Sequence, residues 1–180
     1  MEVISKYKAL MPAIQHASRI LSDYNSKEQG HVVFDIDDTL IFDDDRTTPN
    51  VQVKHLLDVA RACGYKIHLV TAREKSAEVT KWTRDELRRH GIRYESLALA
   101  PKKVRTSMKD VALWKHSERK SHSAQGPVVM SVGDQWGDGI LIRDENHIDE
   151  LNQKYNIDEW PWIILSPKDG VTLYSFKLMA

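Results

Sequence analysis

Apolar residues recur at three- and four-residue spacing in the first stretch of the chain: Ile4, Tyr7, Leu10, Met11, Ile14, Ala17, Ile20, Leu21 and Tyr24. That spacing predicts one amphipathic helix over residues 3–24, with Pro12 as an irregularity. The period then changes. His31-Val32-Val33-Phe34-Asp35-Ile36 is a short apolar run behind Gly30, suited to a buried strand. Val53, Leu56, Leu57, Val59 and Ala60 mark a helix that Gly64 ends. Residues 65–70 read as a second strand, and residues 75–90 as a helix ended by Gly91. Leu97-Ala98-Leu99 is a weaker strand, residues 108–120 a helix, and Pro127–Val132 a fourth strand. Past residue 144 the pattern shifts again. Asp144–Tyr155 reads as a helix, and 162–165 with 171–178 as a hairpin turning at Lys168-Asp169-Gly170.

Strands alternating with helices of this length predict an α/β fold, a parallel sheet flanked by helices on both faces. Ligands of such sheets bind beyond the carboxyl ends of the strands. Asp35 and Asp37 follow the first strand, Thr71 and Arg73 the second, and Asp134 the fourth. Three strand ends therefore deliver polar groups to one edge.

Length adds that 180 residues suit a single domain over 1–180, with the first 25 residues packing on its core. The formal net charge is zero, with 26 basic and 26 acidic residues, which argues against a surface that binds nucleic acid or membrane as a whole. The one cysteine, Cys63, permits no internal disulfide and suggests a reducing compartment; its apolar surroundings predict a packing role. No run approaches ~18 apolar residues and the first residues lack the pattern of a leader, so a cytoplasmic protein with no membrane contact is expected.

The segment Asp35-Ile36-Asp37-Asp38-Thr39 sets two carboxylates two residues apart where a buried strand gives way to a loop. Acids directly after Val32-Val33-Phe34 carry a desolvation cost unless a cation or strong donors offset it. Asp-x-Asp-x-Thr after an apolar strand resembles the first signature of the haloacid dehalogenase (HAD) superfamily of phosphatases. Val70-Thr71-Ala72-Arg73 resembles the second motif, and Gly133-Asp134-Gln135-Trp136-Gly137-Asp138 the fourth. For the third motif, a lysine, the candidates are Lys102, Lys103, Lys109 and Lys115; Lys109, at a helix start, matches the family position best.

The resemblance implies a Rossmann-like (HAD-like) fold and Mg²⁺-dependent hydrolysis of phosphate monoesters through an aspartyl-phosphate on Asp35. By the same likeness, Asp37 protonates the leaving group and later activates water, while its backbone carbonyl joins the metal shell. Thr71 donates to a phosphoryl oxygen, Lys109 offsets its charge, and Thr39 holds the loop. Asp35, Asp37 and Asp134 are the implied metal ligands, with Asp138 supporting by orienting Lys109 or a metal-bound water. Which of Asp134 and Asp138 touches the metal stays open at this point. Magnesium suits such an oxygen set, and a positioned acid or base is worth about 10²- to 10⁴-fold in rate.

Only Ile41–Asn50 separates the first motif from the next helix, and residues 91–108 leave no room for an inserted domain. The likeness therefore implies a minimal cap and an open site, suited to large substrates. Residues 102–122 hold seven Lys/Arg against two acids, a candidate footprint for phosphate-rich partners. Arg46 and Arg73 resemble arginines that bind the terminal phosphate in the phosphatase domain of polynucleotide kinase-phosphatases, and Lys109–His116 adds to that likeness. The implied substrate is a nucleotide or the phosphorylated end of a nucleic acid; the alternatives are a phosphoprotein phosphatase and a phosphate-binding protein without turnover. The eight histidines lack His-x-x-x-His or Cys pairing, against a zinc site. No G-x-S-x-G elbow and no kinase P-loop is present.

Overall fold

The computed structural model describes residues 2–24, 29–42, 47–155, 161–165 and 171–178. The chain runs β1 (Glu2–Lys6), α1 (Leu10–Asp23), β2 (His31–Phe34), α2 (Val51–Ala62), β3 (Lys66–Glu74), α3 (Ala77–Arg89) and β4 (Ser96–Ala100). It continues with α4 (Met108–Ser123), β5 (Val128–Gly133), α5 (Glu145–Tyr155), β6 (Trp162–Leu165) and β7 (Thr172–Lys177). Among the described residues seven strands form one sheet in the order β1-β6-β7-β5-β2-β3-β4. Five of them, β7-β5-β2-β3-β4, are parallel; β6 is antiparallel to both β7 and β1. The expected Rossmann-like α/β sheet with a C-terminal hairpin is therefore present, although the turn expected at 168–170 lies outside the described residues.

The N-terminus departs from the expected continuous helix. Residues 2–6 form an edge strand on β6, with Glu2 opposite Leu165 and Lys6 opposite Trp162. Val3-Ile4 are β-branched and favour a strand once an edge is offered. That edge comes from residues about 160 positions away, which local periodicity cannot reveal. α1 then starts at Leu10, so Pro12 falls in its first turn, where a missing amide costs no helical hydrogen bond. Ala13, Ile14, Ala17 and Leu21 form its buried stripe.

The two faces of β2 follow its period of two. Val32 and Phe34 join the main core with residues of α1, α2 and Leu87 of α3, whereas Val33 packs with Val70, Val128 and Trp114 of α4. β2 reaches β3 through α2 on one side and lies beside β5, entered from α4, on the other. The sheet thus changes winding direction between β2 and β5. Such a switch point opens a crevice at the carboxyl ends of those strands.

Cys63, at the C-terminal end of α2, is exposed rather than packed. No helix among the described residues is long and apolar enough to cross a membrane.

At the opposite end of the α4 face, three imidazoles meet. His31 Nδ1 lies 2.7 Å from His68 Nε2, His68 Nδ1 lies 2.6 Å from Ser96 Oγ, and the His122 ring stacks on His68 at 3.6 Å. Burial, with His122, His31 and Lys66 nearby, lowers the His68 pKa from 6.5 to about 3; burial also lowers His31 and His122, with a backbone hydrogen bond at Gln125 and the Glu95 charge pulling His31 the other way. The unfolded chain therefore binds more protons than the folded one between about 3 and 6.5. Stability is complete above that window and is lost as pH falls through it. Removing one titrating ring, as in His68→Gln, is expected to lower the acid-unfolding midpoint by about 0.5–1 pH unit. Circular dichroism during acid titration reads it, and an unchanged midpoint contradicts it.

Candidate active site

The loop after β2 is wound tightly by one carbonyl. Ile36 O accepts from the amides of Thr39, Leu40 and Ile41 at 3.2, 2.9 and 3.1 Å. Asp38 stands at φ 57°, a left-handed conformation that Asp tolerates better than branched residues do. This winding leaves Asp35 at the strand end, where its amide still donates to Val132 O of β5 at 3.0 Å. The Thr39 hydroxyl is fully buried, 3.5 Å from both Asp35 Oδ2 and Asp134 Oδ1. It ties the loop of β2 to the end of β5.

Ligand oxygens of Asp35, Asp134 and Asp138 lie within 4.8 Å of one another, and all three residues are buried. One lysine enters the group. It is Lys115 of α4, whose Nζ lies 3.0 Å from Asp35 Oδ1 and 2.5 Å from Asp138 Oδ1. The other Asp138 oxygen accepts from the Gln135 amide at 3.0 Å, while Gln135 Nε2 reaches Asp134 Oδ2 at 3.2 Å. A Cβ on Gly133 would stand 2.2 Å from both Cβ and Oδ2 of Asp138. Only glycine lets that carboxylate lie against the end of β5. Gly133→Ala is accordingly expected to cost about 1–3 kcal/mol of stability and to lower turnover by displacing the Asp138 end of the Lys115 bridge. Unchanged melting and unchanged rate would contradict it.

Three buried carboxylates gather here, and the Lys115 ammonium bridges two of them, Asp35 and Asp138. Burial, then the Asp138 charge, raises the Asp35 pKa well above its ordinary value despite Lys115, and Asp134 is raised for the same two reasons. Burial opposes the Lys115 charge, but Asp138 and Asp35 outweigh it and raise the pKa. A carboxylate cluster in this state of excess negative charge, built from oxygen donors alone, fits a hard divalent cation such as Mg²⁺. Millimolar Mg²⁺ is expected to raise the thermal midpoint by a few degrees, in line with about 1–3 kcal/mol of binding linkage, and Asp134→Asn to abolish that rise. A rise of equal size in Asp134→Asn would place the ion elsewhere.

The expected lysine is corrected. Lys109 is half-buried in the first turn of α4 and does not line the cavity over the carboxylates, whereas Lys115 is 6 % exposed and holds two of them. Six residues turn a helix by about 240° from a common direction, so the two lysines face different ways. A signal for Lys115 existed in the sequence: the inward stripe of α4 is Ala112, Lys115 and Arg119.

The Asp37 side chain does not join the carboxylate cluster. It takes Arg73 in a fork, Nε to Oδ2 at 3.0 Å and Nη2 to Oδ1 at 2.7 Å. Arg73, expected to meet substrate, is buried and also donates to Thr83 and Glu86 of α3. Thr71 is buried within β3, and its hydroxyl accepts from the Arg73 amide at 3.2 Å. Arg46 lies outside the described residues.

A cavity of about 490 Å³ opens over Asp35, Asp37, Lys115 and Asp134, with Trp136 and Met108 in its wall. Trp136 serves packing as well, its indole donating to Asn152 at 2.9 Å and its ring tilted on Tyr155. The run of seven cations divides in space. Lys102, Lys103 and Arg105 are exposed beyond β4, whereas Lys115 and Arg119 are buried. Arg105 lines the cavity and is braced by Ala72 O at 2.8 Å.

A family model described as HAD superfamily, subfamily IIIB (acid phosphatase), matches residues 42–147, more than half of the chain. The chain belongs to that family. The Asp35–Thr39 segment lies just outside the matched span. Two solved structures of a Pnkp1/Rnl/Hen1 complex, one described as an RNA repair complex, are similar in fold. They share 21% and 19% identity over 64% and 74% of this chain, each with a TM-score of 0.50. The chain spans 39% and 45% of those two chains, less than half of either. No curated protein sequence matches it.

Proposed function

We propose that this HAD phosphatase hydrolyses phosphate monoesters by transferring the phosphoryl group to Asp35. The observation that carries the reading is the joint placement of Asp35, Asp134 and Asp138 at the β2–β5 switch point, with the Lys115 ammonium bridging Asp35 and Asp138. An Asp35 oxygen attacks phosphorus, and the bond to the ester oxygen breaks. Asp37, at the cavity edge, gives its proton to the departing alcohol. It then takes a proton from the water that attacks the acyl phosphate, returning Asp35 as carboxylate and releasing inorganic phosphate. Lys115 keeps the nucleophile oriented and offsets charge on the transferring group. The Thr71 hydroxyl would donate to a phosphoryl oxygen. Asp35 and Asp134, with Asp138 beside them, would hold Mg²⁺. When bound, the ion supplies the positive charge that lets an anionic nucleophile approach an anionic ester.

The proposed substrate is a nucleotide or the phosphorylated end of a nucleic acid, in a cytoplasmic setting. Exposed Lys102 and Lys103, with Arg105 in the cavity wall, support it, as does the shared fold with chains of an RNA repair complex. Hydrolysis of p-nitrophenyl phosphate with Mg²⁺ and with EDTA tests the chemistry, and nucleoside monophosphates beside 3′- and 5′-phosphorylated oligonucleotides test the substrate. Turnover is expected with Mg²⁺ and not with EDTA, and higher kcat/KM is expected on the nucleotide esters. Equal turnover under chelation would overturn the reading.

A further inference from the structure

Glu86 has no exposed surface, yet the reaction described above gives it no part. It stands on the inward side of α3 next to Leu87, and its Oε2 accepts from Arg73 Nη1 at 2.7 Å. Its other oxygen, Oε1, has no hydrogen-bond partner among the described residues. A buried arginine–carboxylate pair adds little stability, and apolar residues of the same size often serve as well or better. Stability alone therefore gives no reason for an acid at this position.

The arrangement around Arg73 supplies one. Nη1 donates to Thr83 Oγ1 at 3.1 Å as well as to Glu86, and the guanidinium lies 4.7 Å from the centre of the Trp82 ring. Three side chains of a single helix thus hold one edge and one face of the group. The opposite edge, Nε and Nη2, forks onto Asp37. The Arg73 side chain is 6 % exposed and that of Asp37 27 %, so the fixed partner is on the α3 side and the accessible one on the cavity side. A planar fork dictates the plane and direction of the carboxylate it binds.

We propose that Glu86 is a positioning residue: together with Thr83 it fixes the Arg73 guanidinium, and through it aims the Asp37 carboxyl at the leaving group. The assignment rests on the reading of Asp37 as the proton carrier. α3 touches neither the ester nor the carboxylate cluster in this scheme; it acts only through Arg73. Weakening the anchor leaves Asp35, Lys115 and the cavity intact but lets Asp37 turn. The defect must then appear in proton delivery and nowhere else.

Leaving groups separate the two steps. A p-nitrophenolate departs without needing a proton, whereas the alkoxide of a nucleoside monophosphate requires one. The test compares kcat and KM for these two esters in Glu86→Leu, Glu86→Gln and Thr83→Val. Glu86→Leu is expected to lower kcat on the alkyl ester about 10- to 100-fold and on the aryl ester less than about threefold, with KM unchanged. Glu86→Gln, which keeps an acceptor, is expected to recover most of the loss. Thr83→Val, of equal volume, is expected to show a smaller loss with the same selectivity, and it preserves the test if Glu86→Leu does not fold. Equal losses on both esters would overturn the proposal and reduce Glu86 to a structural part. Wild-type turnover of the aryl ester alone would also overturn it, since no proton is then being delivered. Wild-type inactivity on both esters is a different outcome: it would overturn the Asp35 reading itself, and this assignment with it.

Discussion

Lys115→Met lowers kcat by about 10²- to 10⁴-fold, while Lys109→Ala changes it less than about threefold. The contrast follows from the two side chains' directions on α4. Lys115 Nζ is shared between Asp35 at 3.0 Å and Asp138 at 2.5 Å, and no other cation of the described residues contacts either oxygen. Methionine keeps most of the volume and removes the charge, leaving the carboxylate cluster with no internal cation. Two consequences arrive together. Asp35 loses the contact that orients its nucleophilic carboxylate, and the charge on the transferring phosphoryl group loses its nearest fixed compensation. The cluster's excess negative charge also grows, so the variant is expected to need more Mg²⁺ for half-maximal rate. Steady-state rates across an Mg²⁺ titration read both effects. A variant at Lys109 as damaging as one at Lys115 would contradict the assignment.

Asp35→Asn is expected to abolish turnover, a loss of at least about 10⁴-fold, because an amide oxygen cannot serve as the nucleophile. The same change is expected to raise the thermal midpoint in EDTA at neutral pH. Burial and the Asp138 and Asp134 charges raise the Asp35 pKa, so the folded chain binds more protons than the unfolded one above the ordinary carboxyl value of 3.8. Stability then falls as pH climbs through the raised pKa, and a neutral isostere escapes that cost. A catalytic group that weakens the fold it sits in is a common trade between activity and stability. Calorimetric melting beside activity checks both halves. An inactive variant that melts lower than the wild type would contradict the electrostatic account.

The parts of the fold legible in the sequence are those with local causes. Apolar runs closed by Gly64 and Gly91 mark elements that the structure contains, and the polar residues at strand ends, Asp35 and Asp134, do share one crevice. What the sequence hides depends on partners far along the chain. Strand β1 pairs with an edge that β6 offers, and the fork of Arg73 onto Asp37 joins residues 36 positions apart, with Thr83 and Glu86 behind it. Lys115 was within reach. Its place in the buried stripe with Ala112 and Arg119 outweighs the helix-start position that favoured Lys109. The basic run at 102–122 divides for a related reason: Lys102, Lys103 and Arg105 stay exposed, while the helix turns Lys115 and Arg119 inward. The histidine stack leaves no linear trace at all, since β2, β3 and α4 each supply one ring.

The most direct test of phosphoryl transfer to Asp35 is acid quenching during turnover, followed by peptide mass spectrometry. A hydroxylamine-labile phosphoryl group on the peptide carrying Asp35, formed with Mg²⁺ and absent from Asp35→Asn, is the predicted result. Steady hydrolysis with no phosphoryl group there, or with the group on another residue, would contradict the account.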